Sequence, residues 1–431
     1  MLDIQFIRDN PELVAEKSQQ KGYKVDIKQL LELDTERRTR LTQIDELRAR
    51  RNAQAAELKN GKPSDEQIAN GKRLKEELAQ READLTTIES NYHSLLKAVP
   101  NMPLDDVPVG ASEDENVMAK EVGNKPQFDF EPQTHWELAE AKGWIDKERA
   151  AKVTGARFAY LKGDLVKLHF ALMNFALMVL TDEAVLQKIA DEAGIKISPK
   201  PFTPVMPPLM IKTDMYDAMD RLEPRDDRYK IEGEELWLQG SAEHVLGSMH
   251  ANEILDEAEL PIRYVGYATS FRKEAGTYGK DLEGIIRMHQ FEKLEMESLT
   301  SAENSLNEHL FHIAIQEYLL QQLGLPYQVI QKCTADIGKP NARGIDIDTW
   351  MPGQGKYRET HTADYMTDYQ ARRLKTRVRR RGSETELAHT NDATAFSQRP
   401  LIAILENNQT NEGNVNVPEV LQPFMGGRSQ I

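Results

Sequence analysis

The sequence predicts an α+β protein whose first hundred residues form a long antiparallel helical hairpin. Three observations carry this reading. Two proline-free stretches, 27–60 and 65–98, repeat apolar residues at alternating three- and four-residue spacings. From about residue 115 onward, short strand-like runs are joined by turns rather than crossover helices, the pattern of a mostly antiparallel sheet flanked by helices. The composition, 39% hydrophobic and 29% charged over 431 residues, is that of a folded globular chain with room for more than one core.

After a short opening segment, 27–60 reads as one helix without Gly or Pro, with Ile27, Leu30, Leu41, Ile44, Ala55 and Leu58 on its apolar seam. Gly61-Lys62-Pro63-Ser64 breaks it. Ser64 with Gln67 three residues on is a capping-box signal for a second helix over 65–98, whose seam runs Leu78, Arg81, Leu85, Ile88, Tyr92 and Leu95. At 1.5 Å per residue each arm is about 50 Å long. Pro100 to Pro103 ends the hairpin (about 27–98), so the expected domains are 1–103 and 104–431. Beyond a linker to Gly110, residues 135–149 and 165–193 read as helices. Leu236–Leu238, 264–267, 285–289 and 401–405 read as strands, from alternation or short apolar runs.

Residues 31–90 carry 12 Lys+Arg against 13 Asp+Glu, so nearly all of the net charge of −15 lies outside the hairpin. Arg48, Arg50, Arg51, Lys59, Lys62, Lys72, Arg73 and Lys75 put cations toward its outer half, either a solvated coiled-coil face or a docking arm. The acidic total argues against indiscriminate nucleic-acid binding. One cysteine, Cys333, excludes a disulfide scaffold and any Cys-rich zinc site, so no zinc is expected, and the residue reads as a small buried hydrophobe. The N-terminus has no basic region followed by an apolar run, and the longest apolar stretch, 169–180, is interrupted by Asn174. A cytoplasmic protein with no membrane partner is expected.

The Gly-rich nucleotide signatures are absent, so any phosphate must be held by side chains, chiefly arginine. The strongest constellation is Ser270-Phe-Arg-Lys-Glu-Ala-Gly-Thr-Tyr-Gly279 followed by Ile286 to Glu295, read as strand, glycine-bearing loop and strand. Alternation puts Arg272 and Glu274 on one face, and Phe291, Lys293 and Glu295 on one face of the returning strand. A guanidinium suits phosphate, an aromatic face suits a base, and carboxylates suit a primary amine. An ordinary hairpin with cross-strand ion pairs fits the spacing equally well. Ser241 and Glu243 offer a hydroxyl and a carboxylate at a strand end or helix start. Arg358 to Thr362 offer further polar groups, and Arg399 leads into the apolar run 401–405. Arg372, Arg373, Lys375, Arg377, Arg379, Arg380 and Arg381 make a dense basic run, suited to RNA phosphates or to a plain surface strand.

Taken together, these segments resemble a class II aminoacyl-tRNA synthetase, specifically the bacterial-type seryl-tRNA synthetase family, over essentially the whole chain. The resemblance runs from Met1-Leu-Asp-Ile-Gln-Phe and the hairpin through Val153-Thr-Gly-Ala-Arg157. It continues with Thr203-Pro-Val-Met-Pro-Pro208 (motif 1, the dimer-interface motif), Phe271 to Glu295 (motif 2) and the Arg399 segment (motif 3). It implies a class II catalytic domain at 104–431 that binds ATP and L-serine, a tRNA-binding domain at 1–103 that clasps tRNA(Ser), and a homodimer. It implies Mg²⁺ with the ATP, and leaves tRNA(Sec) open as a further acceptor.

Carried over by motif, Arg272, Glu274 and Arg399 would be catalytic. Arg272, Lys273, Glu274, Met288, Phe291, Glu359, Thr360, His361, Thr362 and Arg399 would bind ATP, with Glu359 and Thr362 at the magnesium. Ser241, Ala242, Glu243, Arg272 and Glu295 would bind serine, with Ala393 or Thr394 at the hydroxyl contact from motif 3. Three departures from the family pattern stand out. Ser241-Ala242-Glu243 replaces Thr-Ala-Glu. Glu359-Thr-His-Thr362 replaces Glu-x-Ser-Ser. Motif 3, Thr390 to Arg399, is one residue short, which leaves both Ala393 and Thr394 in play. Two other functions share this fold: a ligase that loads a carrier protein, and an inactive RNA-binding scaffold. The intact hairpin argues against the first, and the retained Arg272, Glu274, Glu295, Glu359 and Arg399 against the second.

Overall fold

The computed structural model describes residues 1–57, 64–275, 284–382 and 384–431. The predicted break at 61–64, apart from Ser64, and the seam position Leu58 lie outside the described residues, as does most of the glycine-bearing loop. The chain divides into two compact units, Met1–Met102 and Pro103–Ile431.

Among the described residues the first unit holds helices and no strand. The short helices Ile4–Asp9 and Pro11–Gln20 precede Ile27–Glu57 and Asp65–Ala98. Ser64 and Gln67 form the full capping box, the Ser64 hydroxyl accepting from Gln67 N at 3.2 Å and Gln67 Oε1 from Ser64 N at 2.9 Å. The long pair runs antiparallel, because Gln54 meets Gln67 and Asn70 while Arg48 meets Glu82. Its dry seam is Ile44, Leu47, Leu74 and Leu78, with Leu85 against it. Ala55 is exposed and Leu96 rather than Leu95 is buried, since a straight 3.6-residue helix drifts away from a strict heptad. Near the start of the first long helix, buried Asp34 collects Arg8 at 2.7 Å and Arg38 at 3.2 Å.

The second unit is built on an eight-stranded sheet, in the spatial order Val117–Val122, Tyr327–Gln331, Arg343–Met351, Lys356–Thr367, His389–Ser397, Gln290–Thr300, Ile262–Phe271, Thr203–Val205. Every neighbouring pair is antiparallel except the last. Thr203–Val205, from the predicted motif 1, lies on an edge, where Pro204 costs no ladder hydrogen bond. Period-two alternation gives the sheet two unlike faces. Leu294, Met296, Ile345, Ile347, Ala363, Ala393 and Ala395 enter the main core with helices Asp164–Thr181, Ser305–Gln322 and Gln398–Asn407. The intervening Lys293, Glu295, Glu297, Asp346, Asp348, Thr362, Asp364, Asp392 and Thr394 therefore share the opposite face.

Several predicted elements change type or break. Residues 401–405 are helical, not a strand. Gln398–Asn407 is capped by Ser397, Pro400 sits in its first turn, and the buried run Pro400–Leu405 carries no period that separates helix from strand. Residues 285–289 form no strand, since Gly284 turns at φ +63° and His289 N donates to Arg157 O, outside the ladder. The helix predicted at 135–149 stops at Ala141 before Gly143, which takes the left-handed conformation, and resumes as Lys147–Val153 after the two-residue strand Ile145–Asp146. That at 165–193 divides at Asp182, whose carboxylate caps Glu183–Glu192 by accepting from Ala184 N and Val185 N. Asp164–Thr181 is long and apolar enough to cross a membrane, yet Leu165, Leu168, Leu172 and Leu180 lie buried in the main core. Cys333 is buried.

Candidate active site

The charged face of the sheet opens into a cleft of about 650 Å³ including the solvent at its mouth. Arg272, Glu274, Met288 and Phe291 line one side; Glu359, Thr360, Thr362, Thr394 and Arg399 line the other. The predicted sharing of a strand face by Arg272 and Glu274 fails, because the strand ends at Phe271 and Glu274 has φ +53°. Both reach the cleft from the loop instead. Arg272 N donates to His289 O and His289 Nδ1 lies 3.0 Å from Arg272 O, so these two residues close the base of the loop. Arg272 Nε donates to Gly240 O at 2.9 Å, and its guanidinium carbon lies 5.2 Å from the Phe291 ring centroid. Glu274 pairs with Arg287 at 2.6 Å.

Across the cleft, Arg399 Nη1 lies 3.0 Å from both the carbonyl and Oε2 of Glu359. The Glu359 side chain is about half exposed, and Arg399 with Lys332 holds its carboxyl low, at about 2. Two neighbours on the adjacent strand go the other way. Burial, reinforced by Glu359, raises Asp346 to about 7 and Asp348 to about 6. Asp346 Oδ1 is buried with no hydrogen-bond partner among the described residues.

Deeper in, Lys293 Nζ donates to Ser241 Oγ at 3.1 Å and lies 2.7 Å from Glu295 Oε2. Glu295 Oε1 and Glu243 Oε2 are buried without partners among the described residues. Burial, with Glu243 close by, pushes Glu295 up to about 8 against the pull of Lys293. Glu243 is also buried, yet Lys293, His244 and Arg221 hold it low. Behind them Arg221 binds Asp392 at 3.2 Å and Asp364 at 3.5 Å, and buried Glu297, beside Asp392 and Glu243, is pushed well up. The result is a small buried polar cluster behind the cleft, with two acceptor oxygens that lack a donor among the described residues.

Four predicted residues point elsewhere. Ala393 packs in the main core while Thr394, one step along the strand and opposite Glu295, lines the cleft, so alternation puts the Thr394 hydroxyl and not the Ala393 methyl on the cleft side. His361 faces the core side, its ring 5.7 Å from Phe396 and its Nδ1 2.9 Å from Thr360 Oγ1. Lys273 lies over the Tyr229 ring at 5.5 Å. Ala242 is buried in a small apolar cluster with Leu246 and Ala268. Lys293 and Arg287, absent from the predicted site, are both cleft residues. The alternation that joins Phe291 to Glu295 already contained the first, whereas nothing local signals the second.

An antiparallel sheet bearing a cleft of arginines, an aromatic face and carboxylates defines the core of a class II aminoacyl-tRNA synthetase, and residues 228–408 match the tRNA synthetase class II core domain (G, H, P, S and T). Residues 1–103 match the seryl-tRNA synthetase N-terminal domain. The serine–tRNA ligase of Thermodesulfovibrio yellowstonii is 40% identical over 436 residues, with 99% of each chain covered. The seryl-tRNA synthetase of Pyrococcus horikoshii, solved with ATP, superposes with a TM-score of 0.88 at 38% identity, covering 100% of this chain and 99% of that one. The cytoplasmic serine–tRNA ligase of Naegleria fowleri, solved with AMP, gives a TM-score of 0.83 at 30% identity, covering 100% and 98%. The chain belongs to the seryl-tRNA synthetase (serine–tRNA ligase) family.

Proposed function

We propose that this protein activates L-serine with ATP and transfers it to the 3′ end of tRNA(Ser). The observation that carries this reading is the pairing of an Arg272–Phe291–Arg399 cleft with the adjoining Ser241–Lys293–Glu295 chamber, in a chain 40% identical over its length to a serine–tRNA ligase. In this reading Phe291 stacks on adenine with Glu274 and the Met288 backbone beside it. Arg272 grips the α-phosphate and Arg399 the γ-phosphate. Glu243 and Glu295 accept from the serine ammonium, Thr394 and Ser241 face its hydroxyl, and Arg272 meets its carboxylate.

A serine carboxylate oxygen attacks the α-phosphorus, the bond to the bridging oxygen of the β-phosphate breaks, and pyrophosphate leaves. A terminal ribose hydroxyl of the tRNA then attacks the carbonyl carbon, and AMP departs. The first step needs positioning and charge neutralisation rather than an acid–base pair, which the two arginines supply. Among the described residues no three His, Cys, Asp or Glu side chains converge as a metal cage. Magnesium needs none, because it binds through one or two carboxylates plus substrate phosphates. Glu359 and Thr362, with unpartnered Asp346 Oδ1 behind them, offer the hard oxygens it takes. When bound with ATP, magnesium neutralises phosphate charge. A chamber that hydrogen-bonds the serine hydroxyl disfavours alanine, which leaves those polar groups unpaired.

The unit 1–102 is the tRNA-binding domain in this reading and its hairpin the docking arm. The protein is a cytoplasmic homodimer without a membrane partner. The exposed Met206 and Met210, at and beside the predicted motif 1, suit burial against a second copy. Serine-dependent ATP–pyrophosphate exchange tests the activation step: exchange with serine and none with alanine is expected, and exchange that ignores serine would contradict it.

A further inference from the structure

The basic run at 372–381 is not one feature but two. Arg372 is bound to Asp368, Arg373 to Asp217 and Asp220, and Arg380 to Glu257 and Glu303, so these three guanidinium groups are spent within the fold. Lys375, Arg377, Arg379 and Arg381 are all exposed, and none makes an ion pair within 4.0 Å among the described residues. The backbone explains the division. Arg377–Arg379 is the middle strand of a separate three-stranded sheet, between Thr385–Leu387 and Ile254–Asp256. Val378 points inward with Ala371 and Ala388, so alternation turns Arg377 and Arg379 to solvent. Lys375 and Arg381 continue the same odd-numbered series beyond the two ends of the strand.

Alternate residues on a strand are about 6.5–7 Å apart, so Arg377 and Arg379 form a closely spaced cationic pair, flanked by Lys375 and Arg381 in the turns at either end. Asp256 is in register with Arg379, but its carboxylate accepts from Ala258 N at 2.9 Å and lies outside ion-pair distance of the arginine. Cations crowded on one strand and its two ends repel one another, and none of the four gains an ion pair within the fold among the described residues. They suit a polyanion with repeating charge.

We propose that Lys375, Arg377, Arg379 and Arg381 form a second RNA-contacting surface, on the catalytic unit, that tracks the phosphodiester backbone of the bound tRNA. This rests on the tRNA-ligase reading above and adds a contact that neither the hairpin nor the cleft provides. The row contacts phosphate rather than base edges, so it contributes affinity and salt dependence, not identity.

The test compares Arg377→Gln/Arg379→Gln with a control of equal charge loss elsewhere on the unit, Lys188→Gln/Lys196→Gln, by titrating purified tRNA(Ser) across a salt series. The arginine pair is expected to weaken binding about tenfold at physiological salt. It should also flatten the slope of log K against log salt by about 1.5, since each lost phosphate contact removes about 0.7–0.9. The control should change binding less than twofold, and serine-dependent pyrophosphate exchange should stay normal in all variants. Arg377→Gln alone, with half the slope change, keeps the test open if the double variant misfolds. Wild-type affinity and slope in the arginine variants would overturn the proposal, as would a change in assembly mass with the slope intact, which would assign the row to a protein interface. Failure of the wild type to charge tRNA with serine would overturn the underlying reading separately, because the salt slope is scored without charging.

Discussion

Both units are rich in charge, but they use it in opposite ways. In the hairpin, charged residues flank a thin seam and, buried Asp34 apart, stay largely in water: Arg48 and Glu82 pair at 2.8 Å while both remain nearly half exposed. Such pairs contribute little stability, about 0.2–1 kcal/mol each. On the catalytic sheet, Lys293, Glu295, Glu297 and Asp392 alternate with core residues just as regularly, yet all four are buried. Burying charge costs several kcal/mol per ion unless it is paired, so the sheet holds groups whose protonation depends on what binds beside them. An alternating charged pattern thus means a solvated surface in one unit and a buried polar face in the other. What decides between them is what covers the face.

The largest effect is expected from removing one arginine from the loop at the end of the sheet. Arg272→Ala should lower serine-dependent pyrophosphate exchange by at least about 10³-fold, with unchanged melting temperature, as expected for a group aimed at developing phosphate charge. Near-normal exchange would take Arg272 out of the site. Deleting residues 35–90 from the arm should do the converse, leaving exchange within about twofold while charging of tRNA falls by about 10²-fold or more, because phosphate contacts supply much of RNA affinity. Unchanged charging would make the arm purely structural.

Thr394→Val should raise the KM for serine about tenfold, the cost of one lost hydrogen bond in a buried chamber. Ala393→Gly should leave KM alone and cost about 1 kcal/mol of stability, because Ala393 serves the core and a strand glycine gives up backbone entropy. Equal KM effects at the two positions would contradict the assigned register.

The smallest effect is a pH dependence. Burial raises Glu295 from 4.5 to about 8. A raised carboxyl stabilises the fold fully below its unfolded value, and that contribution is lost as pH climbs through about 8. The unliganded protein should therefore lose melting temperature between about pH 5 and pH 8, and Glu295→Gln should flatten that loss. In the same window the KM for serine should fall as Glu295 ionises and becomes a better acceptor for the ammonium. A pH-independent KM would mean that Glu295 is already ionised in the free protein.

Much of this was legible in the sequence where the signal is local. The helix at 65–98 follows from Ser64, Gln67 and a proline-free seam, and the structure gives Asp65–Ala98. The alternation from Phe291 to Glu295 is a strand with one charged face. What was not legible depends on contacts distant in sequence. The run 401–405 is buried on all sides, which erases the period that distinguishes a helix from a strand. The choice between Ala393 and Thr394 needed the register against Glu295, and the division of the basic run needed the positions of Asp217, Glu257 and Glu303.

The buried charged face is expected to select serine, and the whole chain to deliver it to tRNA. The most direct measurement is transfer of labelled serine, alanine and threonine onto total tRNA by the full-length protein with ATP and Mg²⁺. Charging with serine alone, abolished by Arg272→Ala, is expected. Absence of serine charging by folded protein, or equal charging with alanine, would contradict it.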